Sequence, residues 1–189
     1  MRARDNPFRT ERTDGLSYRA PGFGWSELLA RLDAMGGRGA IRGKQGSGKS
    51  TLLRELEGRL AVKGLEVRRL RPSPDDRRLA KRQLRTWLTG VGPNTVLLLD
   101  GADRVGWLEW RRLVRSARSA AAFVITTHRE GRLPTLHRCS TSTALLEELA
   151  TELAGASEVD AIPVAELFAR ENGNVRTALR SLYDRFAAI

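Results

Sequence analysis

Apolar residues recur along this chain in two rhythms. Short stretches in which nearly every position, or every second one, is apolar occur at residues 38–42, 65–70, 95–99 and 122–126, and read as strands. Between them lie longer segments with apolar residues three and four apart. Leu28, Leu29 and Leu32 form the apolar side of a short helix that Ser26 can cap and Gly36-Gly37 ends. Residues 49–63 carry Leu52, Leu53, Leu56 and Leu60 at helical spacing, and 75–89 and 106–120 read as further helices. Strands alternating with helices of this length predict parallel βαβ units. The expected fold class is α/β, a three-layer arrangement with a central parallel sheet of about five strands.

The rhythm changes after Pro134. Residues 136–141 suit one last short strand, and from Thr143 onward the pattern is helical throughout. Leu145, Leu146, Leu149 and Leu153 share a face, Pro163 suits a first helical turn, and Val175, Ala178, Leu179, Leu182, Tyr183 and Phe186 repeat at helical spacing. The expected division is an extended N-terminal arm at 1–24, an α/β domain at 25–142 and a small helical lid at 143–189.

The strand at 38–42 runs into Gly43-Lys44-Gln45-Gly46-Ser47-Gly48-Lys49-Ser50, a full Walker A pattern between a strand and a helix. Its glycines let successive backbone N–H groups turn inward, and the helix N-terminus adds positive potential where an anion sits. In that chemistry Lys49 reaches the β- and γ-phosphates of ATP and the Ser50 hydroxyl ligates Mg²⁺, with Thr51 completing the binding segment. The strand at 95–99 is apolar throughout and delivers Asp100 to its C-terminal end, where ligands of open α/β sheets bind. Asp100 is the second expected Mg²⁺ residue. Its distance of about 50 residues from Lys49 leaves room for one βα unit between the two strands, as in additional-strand ATPases.

Composition adds three points. No apolar stretch approaches the roughly 20 residues that cross a bilayer, and the basic N-terminus is not followed by a secretory apolar segment, so the expected location is the cytosol. The single Cys139 cannot form an internal disulfide, and with His128 and His137 it makes no metal-ligand set of familiar spacing. The formal charge of +11 fits an acidic partner such as nucleic acid, although only four basic residues are lysines, and such arginine bias can also follow genome composition. The cations have a pattern. Arg78, Lys81, Arg82 and Arg85 fall along one face of the helix at 75–89, and Arg111, Arg115 and Arg118 along the next, with Trp107, Trp110, Val114 and Ala117 on its other side. These faces could meet nucleic acid or an acidic protein, or simply solvent; the tryptophans read as core residues or base-stacking platforms.

Taken together, residues 39–186 resemble AAA+ and signal-transduction (STAND, including NACHT) ATPases. The segment from Gly43 through Ser50, Thr51, Leu52, Leu53, Arg54, Glu55 and Leu56 is similar to a NACHT-type P-loop, and Leu97-Leu-Leu-Asp-Gly-Ala-Asp103 to the second nucleotide motif. Phe123-Val-Ile-Thr-Thr-His-Arg129 resembles the strand ending in a polar sensor-1 residue, for which Thr126 and Thr127 are both candidates. Glu171-Asn-Gly-Asn-Val-Arg-Thr-Ala-Leu179 is similar to a sensor-2 segment, which implies that Asn174 caps the last helix and Arg176 faces the nucleotide. The resemblance implies a nucleotide-dependent switch or remodeller of a protein or nucleic acid, with homo-oligomers and a trans-acting arginine drawn from Arg129, Arg132 and Arg138. One departure bears on turnover. Gly101 stands where the water-activating glutamate is usual, leaving Asp103 either as its substitute or as a helix cap. Two other classes stay open, a regulatory subunit that binds ATP without hydrolysing it and a small-molecule kinase. An ABC-type reading lacks its Ser-Gly-Gly signature.

Overall fold

The computed structural model describes residues 3–73 and 75–188. Its chain divides into two compact units, one made of residues 23–43 and 52–138 and the other of residues up to Gly22, Lys44–Thr51 and the chain from Cys139.

The first unit is built on five parallel strands, β1 (Arg38–Arg42), β2 (Glu66–Leu70), β3 (Thr95–Leu99), β4 (Ala122–Thr127) and β5 (Thr135–Arg138), in the order β2-β3-β4-β1-β5. One strand, β4, therefore lies between the P-loop strand β1 and the Asp100 strand β3. This is the additional-strand order that the spacing between Lys49 and Asp100 predicted. β3 and β4 are buried at every position, which explains why they read as continuous apolar runs rather than alternating ones. The edge strand β2 is half-exposed.

Strand side chains alternate between the sheet's faces. Leu97, Leu99, Phe123 and Ile125 form one row, and Leu84 and Trp87 of α4 (Arg77–Trp87) with Leu113 of α5 (Trp107–Ser116) close over it in a single cluster. The α3 helix (Lys49–Val62) supplies the third layer with its fully buried Leu52, Leu53 and Leu56. Helix α2 (Trp25–Ala34) buries Leu28 and Leu32, but its N-cap is Gly24; Ser26 lies inside the first turn. At α4 the Asp76 carboxylate accepts from the N–H groups of Arg78 and Leu79, a side-chain cap that satisfies two orphan donors.

The second unit is helical, with α6 (Thr143–Ala154), α7 (Ala156–Asp160), α8 (Val164–Arg170) and α9 (Val175–Ala187). Leu146, Leu149, Ala150 and Leu153 of α6 meet Leu167 of α8 and Val175, Ala178, Leu179 and Leu182 of α9 in one apolar cluster. The N-terminal segment joins this core. It carries a single 3-10 turn at Ala3–Asp5 and a short helix α1 (Thr10–Asp14), where an extended arm was expected. Phe8 packs edge-on against Phe186, with ring centroids 5.1 Å apart. Asn6 is wholly buried; its side chain donates to the Tyr183 carbonyl and accepts from the Phe8 N–H. With Leu16 and Tyr18 these buried side chains fall in two separate pairs, too short for a helical or strand period to be read from them.

Candidate functional site

The loop between β1 and α3 owes its shape to two glycines in left-handed backbone, Gly46 at φ 74° and Gly48 at φ 83°. Both are also closely packed. A Cβ on Gly46 would lie 1.7 Å from the Asn174 Oδ1, and one on Gly48 would lie 3.1 Å from the Tyr18 ring. Gly43 is extended. The loop is tied internally by Lys44, whose carbonyl accepts from the Ser47 hydroxyl at 2.8 Å and from the Lys49 ammonium at 2.6 Å. Lys49 and Ser47 are buried, while Lys44 and Gln45 are exposed and Gly43, Gly46, Gly48, Ser50 and Thr51 are half-buried. The Lys49 Nζ is thus turned onto the loop's own backbone and largely removed from solvent. A phosphate oxygen is a stronger acceptor than a neutral carbonyl for such a group.

Asn174 holds the start of α9, its Oδ1 accepting from the Thr177 N–H at 3.2 Å. The same oxygen is the atom nearest to Gly46, and the Arg176 N–H also lies beside that glycine. The turn preceding α9 and the apex of the phosphate loop are therefore in direct contact, and the Arg176 side chain itself is exposed. The Asn174 cap was expected; its contact with the loop was not, because no sequence signal pairs residues so far apart. Beneath the loop Tyr18 and Cys139 share a hydrogen bond, and burial is the main reason that the Cys139 thiol is pushed up to about 11 and the Tyr18 phenol is raised as well. Burial thus favours the protonated, less reactive form of Cys139.

The polar groups at the ends of β3 and β4 form a second set, within the sheet unit. Asp100 is buried, and its Oδ1 accepts from the Thr126 hydroxyl at 2.8 Å, while the same hydroxyl accepts from the Gly101 N–H at 2.7 Å. Thr126 thus orients the carboxylate. Thr127 donates to Asp103 Oδ1 at 2.8 Å, and the other Asp103 oxygen accepts from the His128 N–H at 2.8 Å. Asp103 does not cap the following helix, whose N-cap is Gly106; it bridges the ends of the two strands. The His128 ring completes the set, its Nδ1 lying 2.9 Å from the Gly43 carbonyl at the exit of β1. No motif in the sequence marks His128 for this place. The two sensor candidates thus differ in partner, Thr126 on Asp100 and Thr127 on Asp103.

Of the three arginines considered for a trans-acting role, Arg132 is committed inward. Its guanidinium stacks 4.6 Å from the Trp110 ring centroid and donates to the Val105 carbonyl at 2.7 Å. Arg138 pairs with Glu130, which also holds the buried Arg42. Arg129 is exposed on the turn after β4. The tryptophans of α5 differ as well. Trp110 is half-buried near Phe123, but Trp107 is 66% exposed, so the core reading of the two tryptophans does not hold for Trp107. Its position in the first turn of α5 carries it past the edge of the buried stripe.

Among the described residues no cluster of three or more histidines, cysteines or acids could hold a metal by itself. Among the described residues no helix is long and apolar enough to cross a membrane.

No protein-family model matches the chain, and neither does any curated protein. The chain is similar to the solved structure of a lysine-to-arginine point mutant of Thermotoga maritima RuvB, with a TM-score of 0.58 and 17% identity. The similarity covers 84% of this chain and 61% of that one, so this chain spans less than two thirds of its neighbour's length. At that identity the likeness is one of fold, the α/β arrangement of P-loop NTPases around a five-stranded parallel sheet.

Proposed function

We infer that the chain binds ATP with Mg²⁺ and acts as an AAA+ ATPase of the STAND type, a nucleotide-dependent switch or remodeller of a protein or nucleic acid partner. The observation that carries this reading is the phosphate loop itself, with left-handed Gly46 and Gly48 and with Lys49 folded onto the Lys44 carbonyl. Backbone N–H groups from Gly46 to Thr51 would cradle the phosphates, and Lys49 would exchange its carbonyl partner for the β- and γ-phosphate oxygens. Ser50 and Asp100 would hold the magnesium ion, which when bound neutralises phosphate charge. Thr126 would keep Asp100 aimed. Thr127 would stand near the γ-phosphate, Asp103 would orient the attacking water and take its proton, and Arg176 would report the γ-phosphate to the lid. The contact of Asn174 with Gly46 supports that last step, because a loop that reshapes around phosphate must move the start of α9. A neighbouring copy would contribute the exposed Arg129 in an ATP-dependent oligomer.

Nucleotide binding and phosphate release, measured together, test the reading. ATP should bind with Mg²⁺, and release should vanish in Lys49→Ala and Asp100→Asn. A chain that binds no nucleotide would sink the proposal. A second reading is favoured by the two hydrogen bonds that occupy both oxygens of Asp103 and by Gly101 in the usual acid's place: a regulatory subunit that holds ATP without turning it over. Tight binding with no phosphate release, alone or with DNA, decides for it.

A further inference from the structure

The outer faces of α4 and α5 form a continuous cationic surface with an aromatic end. Helix α4 contains five cations and no acid, and of these Arg78, Lys81, Arg82 and Arg85 are exposed. The acids just before it are Asp75 and Asp76, and Asp76 is engaged as the helix cap. Helix α5 adds the exposed Arg111, Arg112 and Arg115, and its one acid, Glu109, is paired with Lys81 at 3.2 Å across the two helices. Hydrogen bonds from the backbone and then from Lys81 hold the Glu109 carboxyl below the usual carboxylate range, so it stays ionised and matched to that lysine. Between the helices runs a shallow groove floored by Leu84, Leu88 and Leu113, with Lys81, Arg85 and Arg112 along its rim.

A merely solvated face would explain the charges but not what accompanies them. Trp107 and Leu108, 66% and 59% exposed, are two of the three large apolar side chains that stand out in solvent among the described residues. Both lie in the first turn of α5, beside these cations, and the Arg111 guanidinium sits 4.9 Å from the Trp107 ring centroid. An exposed indole already paired with arginine on a basic face is the combination that holds unpaired bases, because stacking requires only a π-face and the cations track the phosphates. A duplex hides those faces; an acidic peptide has none.

We propose that the α4–α5 face binds single-stranded nucleic acid, with Trp107 as a base-stacking platform and Arg78, Arg82, Arg111, Arg112 and Arg115 on the phosphates. The assignment names the partner left open in the ATP-dependent reading, and it uses none of the nucleotide-site residues. Fluorescence anisotropy of a labelled thymidine 20-mer, of its duplex and of polyglutamate, all without nucleotide, tests it. The single strand should bind best. If each of these five arginines engages a phosphate, its affinity should fall about 100-fold between about 50 and about 200 mM salt. Trp107→Ala should weaken the single strand about tenfold while leaving the duplex unchanged, and Arg82→Glu/Arg115→Glu should weaken both by more than tenfold. Lys49→Ala should bind the strand normally, which separates failure of this surface from failure of the ATP reading. No binding at about 50 mM salt, equal binding of polyglutamate, or indifference to Trp107 overturns the proposal.

Discussion

Gly46 shows how much one residue carries. It sits at φ 74° with the Asn174 Oδ1 where its Cβ would be, so Gly46→Ala is strained twice, in backbone and in space. Loss of nucleotide binding, read by titration with a fluorescent ATP analogue, is the expected outcome. Thr126 is the opposite case, a conservative position by size but not by chemistry. Thr126→Val would leave the buried Asp100 and the Gly101 N–H each short of a partner, at a cost of about 1–3 kcal/mol. Denaturant unfolding checks the stability, and phosphate release in the same variant should fall further than ATP affinity. Cys139 gives a pH dependence. Its folded pKa is raised, to about 11, so the folded state retains its proton after the unfolded state has lost its own. The associated stability is present below the ordinary thiol value of about 8.5 and is lost as pH climbs from there toward 11, by up to a few kcal/mol. Tyr18, also raised, steepens the loss above about pH 10. Urea midpoints at about pH 7 and about pH 10 should differ accordingly, and less so in Cys139→Ala.

Among the elements, α9 links the loop to the apolar core of the helical unit. Its N-terminus depends on the Asn174 cap, while Val175, Ala178, Leu179, Leu182 and Phe186 anchor its buried face. Asn174→Ala should cost about 1 kcal/mol through the lost cap. Asn174→Asp, which can still accept from the Thr177 N–H, should restore the melting temperature while placing a carboxylate against Gly46, and ATP affinity should drop. That divergence between stability and binding distinguishes a loop contact from an ordinary cap. Deleting packing from the same core has a larger and simpler effect: Leu146→Ala, at a fully buried position of α6, should cost about 2–5 kcal/mol in thermal or denaturant melts.

On the scale of the whole molecule, the motif residues are distributed over elements far apart in sequence. Residues 44–51 belong with the chain from Cys139 and with the N-terminal segment, whereas Asp100, Thr126, Thr127 and His128 belong to the sheet unit. If the chain binds ATP with Mg²⁺ as proposed, stability should rise with ligand, as binding to the folded state requires. A melting temperature that increases with ATP and Mg²⁺ in the native chain, and is flat in Lys49→Ala, is the expected result. Size-exclusion chromatography with mass determination, run with and without ATP, tests the oligomer.

What the residues alone determined was local or periodic. The five strands, the order implied by the gap between Lys49 and Asp100, the Walker A loop and the cap at Asn174 were legible because strand burial, helical spacing and turn chemistry are written over a few consecutive positions. Only the tertiary structure decided the rest. It set Asn174 against Gly46 and Tyr18 under Gly48, and it divided Thr126 and Thr127 between Asp100 and Asp103. It also gave His128 the Gly43 carbonyl and turned Trp107 outward while folding Arg132 onto Trp110. Nearly all of these join positions far apart in the chain through a polar or close contact, and such contacts have no period. They exist only once the sheet order and the packing of the helices have brought the partners together.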